Sequence, residues 1–596
     1  MMALRIEDYA LIGNCHTAAL VGNNGSIDWL CLPRFDSDST FGALLGNERH
    51  GRWLLTPANE PIQTSRKYAG SNLTLSTRWV STDGEVEITE LMPHGVGRSQ
   101  IIRRVRGVRG HVKMKQELRI RFGYADAMPW VRQLQTSKSP GIVAVAGPDA
   151  VVVRGPRLKS NGHSHSGEFT VSEGETVDIT LEWFPSHEHV PNPFDVQEAI
   201  DATEDWWEHW IANCRRTGGR WSDELERSLI ILRALTNEQT GGIVAAATTS
   251  LPEQWGGVRN WDYRFVWLRD ASATLKVLMS QGLRAEALTW RNWLLRAVAG
   301  DPGDIQIMYG IGGERELPEQ TIRSLPGYRG ATPVRKGNGA YRQYQGDIFG
   351  ELMSALRSAR ELGVHEDRFS WPMQRAILRF VEKNWQRPDH GMWEMRGSPK
   401  PFTHSRVMLW AALDCGVSAV RNFGLEGPDN RWADLRDRIR DEINSQGFDS
   451  KRGSYTQYYG SKGVDATLLQ LPHVGFLSYT DERMLGTVAA IEQELMRDGL
   501  LLRYRTDLSD DGLPGGEHPF LACSFWLAEQ YARSGRISDA EQLMERLVGF
   551  CNDVGLLSEE YDTTQNLQVG NTPQALSHLA LVRAAVAIQE SRSNRA

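Results

Sequence analysis

One loop of the sequence places a carboxylate among apolar neighbours. In His390–Thr403, Glu394 stands between Trp393 and Met395. Apolar surroundings raise the pKa of a carboxyl group, which a general acid working near neutral pH requires. Taken alone, the loop also fits a simpler interpretation, in which Glu394 is an ordinary solvated glutamate.

A second acidic loop, Gly555–Asp562, contains Glu559 and Glu560 side by side. Adjacent side chains of an extended segment point apart, so we expect only one of the two to face a shared pocket. Paired carboxylates on separate loops are what glycoside hydrolysis requires, because an acid protonates the leaving oxygen while a base activates water on the opposite face of the sugar.

A third loop, Gly256–Asp270, ends in Arg269 and Asp270 at the entrance to a predicted helix. A fixed cation beside a carboxylate can hydrogen-bond two neighbouring sugar hydroxyls, and Trp261 and Trp267 are suited to be the stacking walls of such a site. The alternative is an ordinary ion pair that caps the helix.

A fourth loop, Leu500–Glu517, offers Arg503 and Tyr504 before a helix that His518 and Pro519 should begin. The chain also contains 20 Trp, more than its 17 Phe or 15 Tyr. Indole faces are good platforms for sugar rings, but large apolar cores explain this count equally well.

The predicted secondary structure changes from strands to helices near residue 190. Before it, the apolar pattern has a period of two, and Asn23-Asn24-Gly25 is a hairpin signal between two strands. This pattern predicts an N-terminal antiparallel β-sandwich. The predicted strands are Thr17–Gly22, Ser26–Leu32, Gly84–Leu91, His111–Arg121, Gly141–Ala146, Ala150–Arg154, Phe169–Val171 and Thr176–Trp183.

From about residue 222 the apolar period becomes helical, in roughly a dozen segments separated by long alternate loops. This predicts an (α/α)6 barrel whose funnel the loops line, and no fixed repeat supports the alternative of an extended solenoid. The predicted domains are a β-sandwich over 1–190, a linker over 191–221 with a helix at Val196–Cys214, and the barrel over 222–596. The predicted helices include Ser222–Leu235, Trp267–Met279, Asp347–Leu362, Ser370–Trp385, His404–Val417, Trp432–Asn444, Glu482–Met496, Pro519–Ser534, Ser538–Cys551 and Pro573–Gln589.

Composition excludes several classes of function. A net charge of −7 without a basic block argues against binding to nucleic acid or to an anionic membrane surface. No apolar stretch is long enough for a membrane span, and Met1–Ile12 lacks the apolar core of a secretory signal. Six scattered cysteines predict reduced thiols in a cytoplasmic protein, and the His163/His165 and His187/His189 pairs lack the acidic or Cys partners of a metal site.

Long motifs in shared order make the chain resemble glycoside hydrolase family 15, the glucoamylase and bacterial trehalase family. The opening IEDYALIGNCHTAALVGNNGSIDWLCLPRFDSDSTFGALL looks like the trehalase-type N-terminal domain of bacterial members. The segments NWDYRFVWLRDASATL, GYRGATPVRKGNGA, GMWEMRG, FTHSRVMLWAALD, FLACSFWLAEQ and GLLSEEYD…GNTPQALSHLAL look like the catalytic-domain signatures. The resemblance implies an inverting, exo-acting hydrolase on an (α/α)6 barrel that releases β-glucose from the non-reducing ends of α-glucosides.

The resemblance also implies roles for individual residues. Glu394 matches the general acid, which follows Trp in the family's W-E loop. Glu559 matches the general base of the S-E-x-Y-D loop, with Glu560 as its neighbour. The expected substrate-binding residues are Trp267, Arg269, Asp270, Trp393, Arg503 and Tyr504. Acid–base chemistry of this kind needs no cofactor and no metal.

Position 395 departs from the family pattern. Starch-type members carry a second acid directly after the general acid, whereas this chain has Met395 and then Arg396. An apolar side chain cannot accept a hydrogen bond from a sugar hydroxyl. Together with the trehalase-like N-terminal domain, this favours a small disaccharide substrate, α,α-trehalose first. Gluco-oligosaccharides with α-1,4 or α-1,6 links are the alternative, and a non-catalytic carbohydrate-binding protein is the alternative from a different class.

Overall fold

The computed structural model describes residues 3–95, 97, 99–134, 140–215, 218–507, 509 and 511–594. Its N-terminal part is one large antiparallel sheet, with fifteen strands in the described residues. This confirms the predicted antiparallel β class. The strands are β1 (Tyr9–Gly13), β2 (Ala18–Gly22), β3 (Ser26–Cys31), β4 (Ser39–Phe41), β5 (Arg52–Pro57), β6 (Gln63–Tyr68), β7 (Leu75–Ser81), β8 (Gly84–Leu91), β9 (Gln100–Arg119), β10 (Trp130–Leu134), β11 (Gly141–Ala146), β12 (Asp149–Arg154), β13 (Lys159–Asn161), β14 (Ser164–Ser172) and β15 (Thr176–Pro185).

The predicted hairpin is present as β2 and β3. Gly25 follows β2 with a φ of 79°, and a Cβ added there would lie 2.2 Å from the carbonyl oxygen of Leu55. Glycine is therefore required at this position both by its backbone conformation and by the close approach of β5.

Strand β9 connects two parts of the sheet. Its first half pairs with β8 and β15, and its second half pairs with β5 and β14. In the first half, Arg103 is fully buried beside Glu90 at 2.7 Å, and it also donates to the carbonyl oxygens of Trp53 and Gly25. The sequence predicted only the second half, His111–Arg121, because closely spaced arginines hide the apolar alternation of the first.

Helices dominate the chain after the sheet. No helix of the described residues combines the length and the apolar character that a membrane crossing requires. The helices are α1 (Val196–Ala212), α2 (Ser222–Ala234), α3 (Leu268–Ser280), α4 (Arg284–Ala297), α5 (Asp347–Glu361), α6 (Ser370–Asn384), α7 (Thr403–Phe423), α8 (Asp429–Glu442), α9 (Glu482–Leu495), α10 (Leu521–Arg533), α11 (Ile537–Val548) and α12 (Ala575–Ser593).

These bounds confirm every named helix of the sequence prediction to within four residues, except that α7 continues six residues beyond the predicted end at Val417. Helix α4 has no counterpart among the named segments, because its buried face is formed mainly by Trp290 and Trp293 and includes the charged Arg291. In the described residues, ten further short strands form five two-stranded antiparallel pairs. They are β16 (Val266–Trp267), β17 (Met308–Tyr309), β18 (Gln320–Ile322), β19 (Val334–Lys336), β20 (Phe448–Asp449), β21 (Ser454–Tyr455), β22 (Met496–Arg497), β23 (Leu500–Leu501), β24 (Glu560–Asp562) and β25 (Leu567–Val569). Strand β16 pairs with β17 across α3 and α4.

Alternate helices contact one another in sequence. Helix α3 packs on α5, and α5 packs on α7. A short 3-10 helix, Ala466–Gln470, touches both α7 and α10, while α12 contacts α10 and α3. Helices α4, α6, α8 and α11 pack against members of this set. The loops that precede α3, α7, α10 and α12 are therefore neighbours.

The sheet and the helical part share one continuous apolar core. Polar contacts also join them: Trp29 Nε1 donates to the Ala247 carbonyl at 2.9 Å, and Arg66 pairs with Asp553 at 2.6 Å. All six cysteines lie in the described residues and are free thiols, as predicted.

Candidate active site

A pocket lies where the loops before α3, α7 and α10 converge. Seven of the eight predicted site residues line it, whereas Glu559 is completely buried. The seven are Trp267, Arg269, Asp270, Trp393, Glu394, Arg503 and Tyr504. The structure therefore brings together residues that lie more than 200 positions apart in the chain.

Glu394 reaches the pocket with two donors on one carboxylate oxygen. Trp267 Nε1 donates to Glu394 Oε1 at 2.6 Å, and Arg269 Nη2 lies 3.4 Å from the same atom. Burial raises the pKa of Glu394, while the charge of Arg269 and the Trp267 hydrogen bond oppose that rise. The side chain is only 18% exposed, so it is not a solvated loop glutamate. Burial favours its protonated form, and the pocket still gives access to it.

The backbone of Glu394 has an unusual conformation. Its φ is 59°, in the left-handed region that residues with a Cβ rarely adopt. The loop holds it there through hydrogen bonds from the Glu394 amide to the Gly391 carbonyl and from the Met395 amide to the His390 carbonyl. Strain of this kind, about 1–3 kcal/mol, is typical of functional sites.

Arg269 and Asp270 lie in the first turn of α3. Arg269 Nε is 3.5 Å from Asp270 Oδ1, and Nη1 is 3.0 Å from Asp347 Oδ2 and 2.9 Å from Gln345 Oε1. Burial raises the pKa of Asp270 to about 6, against the opposing charge of Arg269. The pair is thus an ion pair at the helix start, and it also lines the pocket.

Glu559 and Glu560 precede and begin β24, and they have different partners. Tyr263 Oη donates to Glu559 Oε1 at 2.6 Å, whereas Glu559 Oε2 is buried without a hydrogen bond. Glu560 Oε2 accepts the backbone N–H of His518, and its Oε1 lies 3.8 Å from Arg503 Nη2. Burial, and then the nearby negative charges, raise the pKa of Glu559 to about 8. Each glutamate therefore contacts a different residue of the pocket lining.

Arg503 lies within a cluster of buried carboxylates. Its Nη2 is 2.8 Å from Glu253 Oε2 and 2.7 Å from Glu517 Oε2, with Glu560 slightly farther. These three glutamates are close enough to one another to offer ligands to a metal ion. The guanidinium group already bonds two of them, so it supplies the positive charge that the cluster requires.

The outer part of the pocket is built from loop-to-loop contacts. Asp511 Oδ2 accepts from Arg259 Nη2 at 2.6 Å and from Tyr504 Oη at 2.9 Å, and its carbonyl accepts the backbone N–H of Arg396. The Arg396 guanidinium stacks over Trp261, 4.7 Å from the ring centroid. This wall is thus fixed by charged contacts between three loops.

The two residues that flank Glu394 have apolar contacts. Met395 is buried against Phe402 and Tyr504 and lines the pocket. The Trp393 ring stacks on Trp526 with centroids 6.0 Å apart. Both neighbours of Glu394 in the chain therefore pack against apolar groups, while the Glu394 carboxylate itself contacts Trp267 Nε1 and Arg269.

Tyr263, Arg259 and Asp511 line the pocket but were not singled out from the sequence. The period of two in an extended segment could have found Tyr263. It lies two residues after Trp261, so the two side chains are expected on the same side of the chain. Arg259 and Asp511 carry no local signal, since their ion pair joins positions 252 residues apart.

We expect glycine at position 394 to give a more stable fold than alanine, since glycine adopts a positive φ without a Cβ penalty. Glu394→Gly should exceed Glu394→Ala in free energy of unfolding by about 1 kcal/mol. Denaturant unfolding of both variants measures the difference. The same two substitutions at Glu545, inside α11, should give the reverse order. Equal stability of the two position-394 variants would contradict the strained conformation.

We expect Glu559→Gln to gain stability relative to the unsubstituted protein as the pH rises from 4.5 to about 8. In this interval the unfolded chain, with an ordinary glutamate pKa of 4.5, releases a proton that the folded chain retains, so the stability of the unsubstituted protein falls. Glutamine does not ionise, so the difference in Tm should widen across the interval and stay constant outside it. A difference that does not change with pH would mean that the pKa of Glu559 is not raised.

The comparisons with known proteins cover nearly the whole chain. Residues 220–586 match the family described as Glycosyl hydrolases family 15, and residues 1–183 match the one described as Trehalase-like, N-terminal. The chain is 34% identical to a trehalase of Mycolicibacterium smegmatis, over 98% of this chain and 91% of that protein. It is 33% identical to a trehalase of Thermoplasma volcanium, over 99% of this chain and 94% of that protein.

Among solved structures, the crystal structure of a bacterial glucoamylase complexed with acarbose matches with a TM-score of 0.73. The match covers 99% of this chain and 94% of that one at 13% identity, and it shows a shared fold. The family match spans more than half of the chain, and the trehalase relatives span nearly all of it. On these matches, the chain belongs to glycosyl hydrolase family 15.

Proposed function

We propose that this glycoside hydrolase cleaves α,α-trehalose by a single displacement with inversion, releasing β-glucose. The observation that carries the proposal is one pocket served by two carboxyl groups with different donors. Glu394 is held by Trp267 and Arg269, and Glu559 is held by Tyr263. The similarity to trehalases over nearly the full chain supports the choice of substrate.

Glu394 is the proposed general acid. Burial favours its protonated form before reaction, and it gives this proton to the glycosidic oxygen as the bond to the anomeric carbon breaks. Arg269 and Trp267 already face Glu394 Oε1, so they stabilise the carboxylate that forms.

Glu559 is the proposed general base. Tyr263 occupies its Oε1, which leaves the unpartnered Oε2 to take a proton from the attacking water. Tyr263 and Trp267 contact each other edge to face, with centroids 5.4 Å apart, and so connect the residues that hold the two carboxyl groups. An inverting enzyme needs roughly 6.5–9.5 Å between those groups to admit the water.

The other lining residues are proposed to bind the two glucose units. Arg269 and Asp270 hydrogen-bond the non-reducing glucose, with Trp267 and Trp393 as apolar walls and Arg503 and Tyr504 as further polar contacts. We place the wall made by Asp511, Arg259 and Arg396 beyond the scissile bond. An apolar Met395 in the lining agrees with a substrate other than a 4-linked chain.

We also propose a specific architecture for the two parts of the chain. The ring of contacts through α3, α5, α7, the short helix Ala466–Gln470, α10 and α12 supports a closed (α/α)6 barrel. Arg103 in β9 donates hydrogen bonds to the carbonyls of Trp53 in β5 and of Gly25 in the turn between β2 and β3. These contacts across the sheet support a sandwich in which the sheet folds over at β9. The proposed boundaries are a sandwich over 1–190, a linker over 191–221 and a barrel over 222–596.

Glucose release from trehalose, maltose, isomaltose and soluble starch, with the anomer followed by NMR, tests the proposal. We expect rapid release from trehalose, with β-glucose appearing at once beside the α-glucose leaving group. Cleavage of maltose or starch alone would contradict the proposed substrate. A folded protein inactive on all four would contradict the proposed function, and a product with retained configuration would contradict the mechanism.

Substitution of the two carboxyl groups tests their roles. Glu394→Gln and Glu559→Gln should each lower kcat by roughly 100- to 10,000-fold, because each loses proton transfer in the transition state. Glu560→Gln is the matched control and should lose much less, since its Oε2 accepts a backbone N–H. Circular dichroism checks that each variant is folded. Activity in Glu559→Gln together with loss in Glu560→Gln would reverse the two assignments.

A further inference from the structure

The segment 261–267, which carries Tyr263 into the pocket, is an extended chain fixed along its length. The carbonyls of Trp261, Tyr263 and Phe265 accept hydrogen bonds from backbone amides within residues 245–250. Its side chains therefore alternate between two sides. Trp261, Tyr263 and Trp267 line the pocket, whereas Asp262 and Arg264 make their contacts away from it.

On that other side lies Arg264, which is fully buried together with Asp262. Arg264 Nε and Nη2 donate to the two carboxylate oxygens of Asp262 at 2.8 and 2.7 Å, a bidentate pair. The remaining donors reach the N-terminal sheet part: Nη1 donates to the Ser37 carbonyl at 2.7 Å, and Nη2 to Tyr124 Oη at 2.6 Å. One guanidinium group thus joins the pocket segment to the sheet part.

This junction has little freedom. A buried cation is stable only while its counter-charge and its acceptors stay in place. Asp262 also accepts the backbone N–H of Gly337 at 3.1 Å, and the guanidinium packs 5.4 Å from the Tyr124 ring centroid. Any shift of residues 262–264 would break several of these bonds at once.

Tyr263 lies between the two members of the buried pair, and its hydroxyl is the hydrogen-bond donor to Glu559. We propose that Arg264 is a positioning residue: it fixes residues 262–264 against the N-terminal sheet part, so that Tyr263 holds Glu559 in the orientation that the reaction requires. The inference rests on the proposed role of Glu559, and it gives the sheet part a specific function in catalysis.

Burial raises the pKa of Glu559 most, and five groups modify it. Glu253 and Glu560 disfavour its charged form, whereas Arg503, the Tyr263 hydroxyl and the backbone N–H of Asn571 favour it. Tyr263 lies directly between Asp262 and Arg264, while Asn571 touches the segment only at the Trp261 carbonyl. Loss of the Tyr263 hydrogen bond therefore raises the pKa of Glu559 further, and the pH above which the base is ionised moves upward.

Arg264→Lys is the principal test, because lysine keeps the charge but lacks the planar fork that bonds both Asp262 oxygens while it reaches the Ser37 carbonyl and Tyr124. We expect kcat on trehalose to fall about 10- to 100-fold with a smaller change in KM. We also expect the rising limb of the pH profile of kcat to move to higher pH. Tyr124→Phe removes a single acceptor from the sheet side, so it should give the same changes on a smaller scale if Arg264→Lys does not fold.

Arg66→Lys is the matched control. Arg66 also joins the two parts through a bidentate pair, with Asp553, and it bonds the Asp8 carbonyl. It does not touch the segment 261–267 in the described residues. We expect it to lower Tm as Arg264→Lys does while leaving the pH profile in place. If both variants change the pH profile of kcat equally, Arg264 only stabilises the fold and the proposal is overturned.

Crystal structures of the unsubstituted protein and of Arg264→Lys separate this inference from the proposed function. The distance from Tyr263 Oη to Glu559 Oε1 should be near 2.6 Å in the first and longer in the second. An unchanged distance overturns the positioning role, whatever the activity. A lengthened distance in a protein that cleaves no glucoside would support the positioning and refute the proposed reaction.

Discussion

A buried carboxyl group must be protonated or must face a fixed donor, and the architecture of the pocket follows from this constraint. Glu394 and Glu559 lie almost or wholly out of water, so each needs a partner that does not move. Arg269 serves the first, and Tyr263 serves the second. Arg269 is itself a buried charge that Asp347 must neutralise. The polar network therefore spreads outward from the two carboxyl groups until it reaches helix starts and the N-terminal sheet.

The sequence predicted the features that depend on neighbours in the chain. Apolar residues on both sides of Glu394 indicated apolar packing beside it, and Met395 and Trp393 do belong to one apolar cluster. Gly25 indicated a hairpin, and the period of the apolar residues located the helices that carry the pocket. The resemblance to a family then selected which of many loop residues converge, and seven of eight line one cavity.

The remaining features depend on contacts between distant parts of the chain, for which a single sequence carries no signal. Tyr263 reaches Glu559 across 296 positions, and Arg503 reaches Glu253 across 250. The sequence also could not show in which direction the side chains of Glu559 and Glu560 point. Their orientation follows from pairing of the short strand that begins at Glu560 with its partner strand, and that register is a tertiary property.

The left-handed backbone at Glu394 has an evolutionary consequence. A descendant of this chain that no longer needed the acid would be free of selection for a carboxyl group there, but the loop would still impose the same φ. Glycine, asparagine and aspartate tolerate that conformation best, so drift should favour them over alanine or valine. The residue type at this one position would then distinguish working members of the lineage from those that keep the fold for another purpose.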